Sequence, residues 1–435
     1  MVAASALSLP DLTLPRGNTS TVRSVLNAYI RETVRAFTTL STAAMGAETR
    51  GVYLRTLAWV QPQLKSDPRR IVAALRQPTL AALLWSAINE PRVEGGAKES
   101  DGWIYELCLL LHFEVAVHGT SAAGEATFIR PAAGWPRLHS IAANIAVTLQ
   151  DSVDEITIAP HALEVHVGGD TWDVALDAIE QQAEDFPGDI GRPYHRIVEG
   201  IALALADNNP LSQMEAHPDK SGNAIDLGGH PVDEWIGTLR NAFELIDRYL
   251  PVIGEEMRLV LRLIVPVGYH DQKHLSASYQ EAVGTIYMTL HPSLMTMTEA
   301  LVHEFQHNKI NAAFHLDPML ENAFSPLYTS PVRPDPRPLH GIVLAVHAFQ
   351  PIAKLYELMS AGDHPLSRSP AFQKRFRDII RMNRAGSQTV LTNGQPTHVG
   401  AGLFHEMRAL EKEQLTYEEA HWKSAPAVEP PPLPE

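Results

Sequence analysis

His303-Glu304-Phe305-Gln306-His307 reads HExxH. On a helix, residues four apart lie one above the other on a single face. Both imidazoles can therefore bind the same divalent metal, with Glu304 beside that metal as a candidate proton acceptor. A catalytic metal normally takes three protein ligands and keeps positions open, so two histidines are an incomplete set. The metzincin continuation HExxHxxGxxH would need Gly at 310 and His at 313, where the chain has Ile310 and Ala313, and His315 is out of register with it. Glu321 is the carboxylate a thermolysin-like arrangement would use, though it comes early for that role, and Asp317 reads as a helix-end residue. Further on, Arg337, His340, Leu344 and His347 are spaced i, i+3, i+7, i+10, which is one stripe of a helix. A helix packed antiparallel to the motif helix would turn this stripe towards the metal. His347 or His340 would then complete a three-histidine set, and Arg337 would hold an anion. The competing reading is that these are hydrogen-bonded core histidines.

The motif needs a helix, and Met297 to Ile310 contains neither Gly nor Pro, with Thr296 and Glu299 as a T-x-x-E capping box. Two strands are expected before it, Arg258 to Val267 and Gly284 to Leu290, flanking an irregular Gly268 to Gln280. The second strand should lie beside the metal helix, as the active-site strand does in zincins. His270, His274 and His291 flank these strands and are candidates to line the site. Ser276, Ser278 and Tyr279 lie where a strand edge could receive an extended peptide. Around this core, Asn18 to Ala43, Pro68 to Leu75, Pro78 to Asn89 and Trp103 to Val117 read as helices. Gly95 to Gly102 and Gly119 to Gly124 read as loops. Strands are expected at Glu155 to Ile158, Ala162 to Val167 and Thr171 to Val174, and Tyr194 to Asp207 fits either strand or helix. Trp235 to Leu250, Leu339 to Met359 with Pro351 inside it, Pro370 to Ala385 and Gly402 to Trp422 are further helices, while Glu321 to Pro338 is too rich in Pro and Arg for either. The expected fold is a helix-rich α+β one. Residues 1–150 form a helical region, 151–290 a mixed α/β region, and 291–423 a zincin-like catalytic helical region with a small mixed or antiparallel sheet. Residues 424–435 are a Pro-rich disordered tail.

Composition narrows the function classes. The 435 residues are 45% hydrophobic and 20% charged, as in a soluble globular protein with a sizeable core. A net charge of -15 argues against nucleic acid or an anionic membrane as the main partner. Cys108 is the only cysteine, which rules out an intramolecular disulfide, a zinc ribbon and an iron–sulfur cluster, and fits a reducing cytoplasm. Met1 to Pro15 lacks the basic-then-apolar order of a secretion signal, and no run of about 18 apolar residues is present. Phosphate-loop, dinucleotide-binding and serine-hydrolase glycine motifs are absent.

His303 to His307, then Ser330 to Leu339, then Val346-His347-Ala348-Phe349, resemble the HExxH-motif peptide-modification family, the α-ketoglutarate-dependent HExxH-type peptide β-hydroxylases. The similarity covers roughly Ser276 to Leu358. It implies an Fe(II)/2-oxoglutarate-dependent dioxygenase that hydroxylates a ribosomally synthesised precursor peptide at a side-chain β-carbon. Iron would be held by His303, His307 and His347, with Arg337 or Arg333 on the 2-oxoglutarate carboxylate. Some relatives place the helix histidine one turn earlier, where this chain has Leu344. Three ligands with three open positions suit such chemistry, and a guanidinium fork suits a carboxylate. The residues by themselves support a second class, a zinc metallopeptidase with Glu304 as general base, and a third, a binding or maturation module with a degenerate site.

Overall fold

The computed structural model describes residues 9–90, 99–118, 124–178, 184–213, 216–217, 220–332 and 335–422. They divide into two compact units. One is continuous, Val22–Leu316; the other is assembled from both ends of the chain, Met1–Thr21 with Asp317–Glu435. Among the described residues are eleven α-helices and sixteen mostly short strands in small antiparallel and mixed sheets, a helix-rich α+β fold.

The continuous unit starts with α1 (Ser20–Thr38, entering from the split unit), α2 (Ala47–Ser66), α3 (Arg69–Leu75), α4 (Pro78–Asn89) and α5 (Glu99–Val117). On α1, Val22, Val25, Leu26, Tyr29 and Phe37 of the periodic apolar residues are buried, joined by Thr33 and Ala36, while Ala28 and Val34 of the same pattern are only half-buried. On α5 every residue from Leu107 to Val117 is buried, so this part of the helix is surrounded by protein. No periodic pattern announces α2, which carries Pro62 inside it.

Strands begin at Ala126, inside the stretch expected to be helical through residue 150. β1 (Ala126–Ile129), β2 (Leu138–Ser140), β3 (Ile145–Leu149), β4 (Glu155–Ala159), β5 (Ala162–Val167), β6 (Asp170–Ala175) and β7 (Gly188–Gly191) make two antiparallel sheets, ordered β1-β4-β5-β6 and β2-β3-β7. The β4–β5–β6 meander matches the expected strands. Tyr194 to Asp207 resolves as the hairpin β8 (Tyr194–Val198) and β9 (Ile201–Ala204), turned at Gly200 with φ +76°. A two-residue ladder, β10 (Ala216–His217) with β11 (Lys220–Ser221), precedes α6 (Val232–Tyr249) and α7 (Pro251–Val260). Arg258 to Val260 are thus the end of a helix, and the strand expected from Arg258 starts only at Leu263. Pro251 at the first helical turn, where its missing N–H is harmless, nucleates that helix.

The third sheet positions the motif. Its order is β13 (Ser276–Ala277), β14 (Thr285–Leu290), β12 (Leu263–Tyr269), β9, β8. β12 runs parallel to both β14 and β9, and the outer strands are antiparallel. Leu263, Ile264 and Val265 are completely buried and all six residues of β14 are buried, the pattern of strands covered on both faces. Gly284 enters β14 at φ +108°, where a Cβ would lie 3.0 Å from Pro78 and 3.2 Å from the Val260 carbonyl. A side chain there is strained both by the backbone and by the contact. The motif helix α8 (Leu294–Phe314) follows directly.

The split unit contains the short ladder β15 (Leu327–Tyr328) with β16 (Arg337–Pro338), and α9 (Leu339–Ala361), α10 (Pro370–Asn393) and α11 (Gly400–His421). Gly400 permits close approach of chains, since a Cβ would sit 1.9 Å from the Met319 carbonyl oxygen. The amino-terminal segment is built into the same unit. Leu9 and Leu12 are each 1% exposed, and the Glu406 carboxylate on α11 accepts the backbone N–H groups of Thr13 and Leu14, both at 2.8 Å. Among the described residues, α9 is the one single helix long and apolar enough to cross a membrane, and 72% of its most apolar window is buried inside the protein. Its hydrophobicity is that of a core helix. The tail 424–435, residues 119–123 of the Gly119 to Gly124 loop and residues 95–98 of the Gly95 to Gly102 loop lie outside the described residues.

Candidate metal centre

Helix α8 starts at Leu294, earlier than the expected Thr296 cap. Ser293 is the N-cap, and its hydroxyl accepts the Thr296 N–H at 3.3 Å. Nine residues on, His303 and His307 stand on the half-buried stripe of an otherwise buried helix. Their Nε2 atoms are 2.8 Å apart and their rings nearly perpendicular, 87° between planes with centroids 4.4 Å apart. Two imidazole nitrogens that converge in this way address one point. Burial pushes His307 below its ordinary imidazole value, with Glu304 partly opposing it, so the ring is neutral at pH 7, as a ligand must be. The Nδ1 of His307 is buried and has no hydrogen-bond partner among the described residues.

Glu304 is 3% exposed and is engaged on both carboxylate oxygens. Oε1 accepts from Ser276 Oγ at 2.7 Å and Oε2 from Ser278 Oγ at 2.5 Å. These serines alternate on and just past the edge strand β13, so a strand period of two puts both hydroxyls on one face. Asn308, the residue after the motif, locks the helix to the sheet. Its Nδ2 donates to Thr285 O at 3.1 Å, Glu304 O at 2.9 Å and Ser278 Oγ at 3.2 Å, and its Oδ1 accepts the Gly284 N–H at 2.6 Å. β14 therefore does lie beside the motif helix. The hydroxyls of Ser276 and Ser278, residues expected at a strand edge, bond Glu304, and β13 is the outer strand of its sheet.

No model of a known protein family matches this chain, and no curated protein does either.

Of the histidines expected to line the site, two are fixed by tautomer. His270 Nδ1 accepts the backbone N–H groups of Gln272 and Lys273, at 3.1 and 3.0 Å, and His291 Nδ1 accepts that of Ser293 at 2.9 Å. A neutral imidazole that accepts at Nδ1 carries its proton on Nε2, so neither ring offers a lone pair to a metal. The His274 ring lies 6.4 Å from that of His291. His315 places Nε2 on the Gln280 carbonyl at 2.8 Å and packs against Tyr29 and Trp85, a core histidine at the end of α8.

The other sequence candidates belong to the split unit. His347 is completely buried on α9, with Nδ1 3.0 Å from Thr13 Oγ1. His340 is half-buried, its ring 5.2 Å from Phe324. Glu321 is exposed. Arg337 is not part of the helix stripe: it sits in β16 opposite Tyr328, and its guanidinium Nε lies 2.7 Å from Asp335. The physical reason is Pro338, which disfavours helical backbone in the preceding residue; α9 starts only at Leu339. Arg333 lies outside the described residues. Among the described residues no three His, Cys, Asp or Glu side chains are gathered as a metal-holding group. The continuous unit supplies two convergent nitrogens.

Proposed function

We propose that this protein is a cytoplasmic Fe(II)/2-oxoglutarate-dependent dioxygenase that hydroxylates a ribosomally synthesised peptide, at a side-chain β-carbon as the resemblance implies. The observation that carries the reading is the commitment of Glu304. A zinc peptidase needs this carboxylate on the attacking water, whereas here both oxygens are held by Ser276 and Ser278 in a buried setting. Convergence of the His303 and His307 Nε2 atoms adds support for a shared metal.

His303 and His307 would hold the metal through Nε2, with His347 as the third ligand carried over from the resemblance. When bound, Fe(II) with the keto acid supplies the oxidising power that places one oxygen atom of O2 in a C–H bond and the other in succinate. Ser276, Ser278 and Glu304 hold the motif helix against the sheet edge, and neutral His307 offers its lone pair without first losing a proton. Arg337 or Arg333 is proposed for the distal carboxylate of 2-oxoglutarate, in Arg337 by exchange for its half-exposed pairing with Asp335. A buried, free Cys108 thiol, pushed up to about 12 by burial, fits a reducing compartment.

Anaerobic reconstitution with Fe(II), then 2-oxoglutarate and air, should yield succinate, and the cognate peptide should gain the mass of one oxygen. Glu304→Gln distinguishes the two chemistries. Succinate formation should fall by less than about tenfold, because no proton transfer is assigned to this group, whereas loss of a general base removes about 10²–10⁴ of rate. Stoichiometric zinc, oxygen-independent peptide cleavage and a Glu304→Gln collapse of that cleavage would replace this reading with the peptidase.

A further inference from the structure

We propose that Thr13, near the amino terminus, is a positioning residue for His347, deciding which ring nitrogen that histidine presents for coordination. The inference rests on reading His347 as a metal ligand. Thr13 Oγ1 lies 3.0 Å from His347 Nδ1, and the two residues are 3% and 0% exposed. Away from water, that hydroxyl is a fixed partner. Its backbone is pinned: the Thr13 N–H itself donates to Glu406 Oε2 and the Leu14 N–H to Oε1, both at 2.8 Å. Leu9 and Leu12 anchor the segment on the near side, and Arg16 pairs with Glu413 at 3.2 Å on the far side.

The chemistry follows from what a hydroxyl can do that a backbone N–H cannot. An N–H only donates, so the rings of His270 and His291, which receive one at Nδ1, are fixed with the proton on Nε2. A threonine hydroxyl can accept. Receiving the Nδ1 proton of His347, it leaves the lone pair on Nε2 and orients the ring, the role that outer partners play for metal-bound histidines. The sequence separates Thr13 from His347 by 334 positions, so no local pattern signals the pair.

The full-length, metal-free protein should be titrated anaerobically with Co(II), following its visible absorption, in wild type, Thr13→Val, Thr13→Ser and His347→Ala. Thr13→Val, near-isosteric but without the hydroxyl, should weaken Co(II) binding by about 10–100-fold, and Thr13→Ser should stay within about threefold of wild type. If His347→Ala loses affinity while Thr13→Val binds as wild type, the positioning role is overturned and the ligand reading stands. If His347→Ala leaves affinity unchanged, the ligand reading itself fails. Nitrogen-15 NMR of the metal-free wild type, with His347 assigned by difference against His347→Ala, gives the tautomer directly and depends on no Thr13 variant folding. The Nδ1–H form is expected, and an Nε2–H form overturns the proposal.

Discussion

Lys309→Met should destabilise the protein by about 3–5 kcal/mol in equilibrium urea unfolding, the usual cost of orphaning one member of a buried ion pair. The Lys309 ammonium and Glu256 carboxylate are 2.8 Å apart with side chains 0% and 1% exposed. The ammonium also lies 5.0 Å from the Phe305 ring centre. Removing the cation leaves a carboxylate in a site where burial already pushes Glu256 above its usual range and only Lys309 opposes it. Lys309→Met with Glu256→Leu removes both charges and should recover most of the loss, since apolar replacements of buried pairs are often neutral or stabilising. The pair joins α7 to the motif helix two residues after His307. A double variant that is stable yet binds Co(II) poorly would assign the pair to alignment of the histidines. A single variant as stable as wild type would mean that the pair is solvated in solution.

A second large effect concerns pH. Glu106 on α5 accepts from Asn208 Nδ2 at 2.5 Å. Burial drives its carboxyl up to about 7, with Asn208 opposing and Asp207 adding to the rise. Asp207 is itself pushed up to about 6 by burial, against the hydrogen bonds from Tyr287 at 2.7 Å and from the Asn209 N–H at 3.2 Å. Both groups hold protons more tightly folded than unfolded. Their contribution to stability is therefore complete below the unfolded value and is lost as pH rises through the folded one. For Glu106 the window runs from 4.5 to about 7, equivalent to about 3 kcal/mol. Glu106→Gln, which keeps an acceptor for Asn208, should gain stability relative to wild type by about that amount between pH 4.5 and pH 8 in chemical denaturation. A constant difference across that range would show that Glu106 titrates normally. The two carboxyls are neighbours, so the wild-type transition belongs to the pair.

The motif and its helix were legible because HExxH states its own geometry: two rings at i and i+4 must share a face. β14 beside that helix was legible from a short apolar run after a glycine. The strand expected at Arg258 to Val267 was legible from Leu263 on, but its first residues were not, because a continuous apolar run reads equally as buried strand or buried helix. The available signal was Pro251, which opens α7, a helix that runs to Val260. Arg337 was misplaced on a helix although Pro338 already argues for an extended backbone there. The serine clamp was visible as a Ser-x-Ser alternation, but its partner was not, since Glu304 lies 28 and 26 positions away. Thr13 was beyond reach altogether, as its contacts are set by packing of distant segments.

The seating of residues 9–16 against α11 also orders events during synthesis. Val22–Leu316 is one uninterrupted stretch and has all its own residues once Leu316 has left the ribosome. The other unit must wait for Glu406, made 393 residues after Thr13. At about 5–20 residues per second that is a delay on the order of 20–80 s. Throughout it, the Leu9 and Leu12 side chains lack their native burial site while a nascent chain grows between the two halves of their destination. A ribosome-bound chain stopped before α11 should expose this amino-terminal segment to protease, and release of the complete chain should close it.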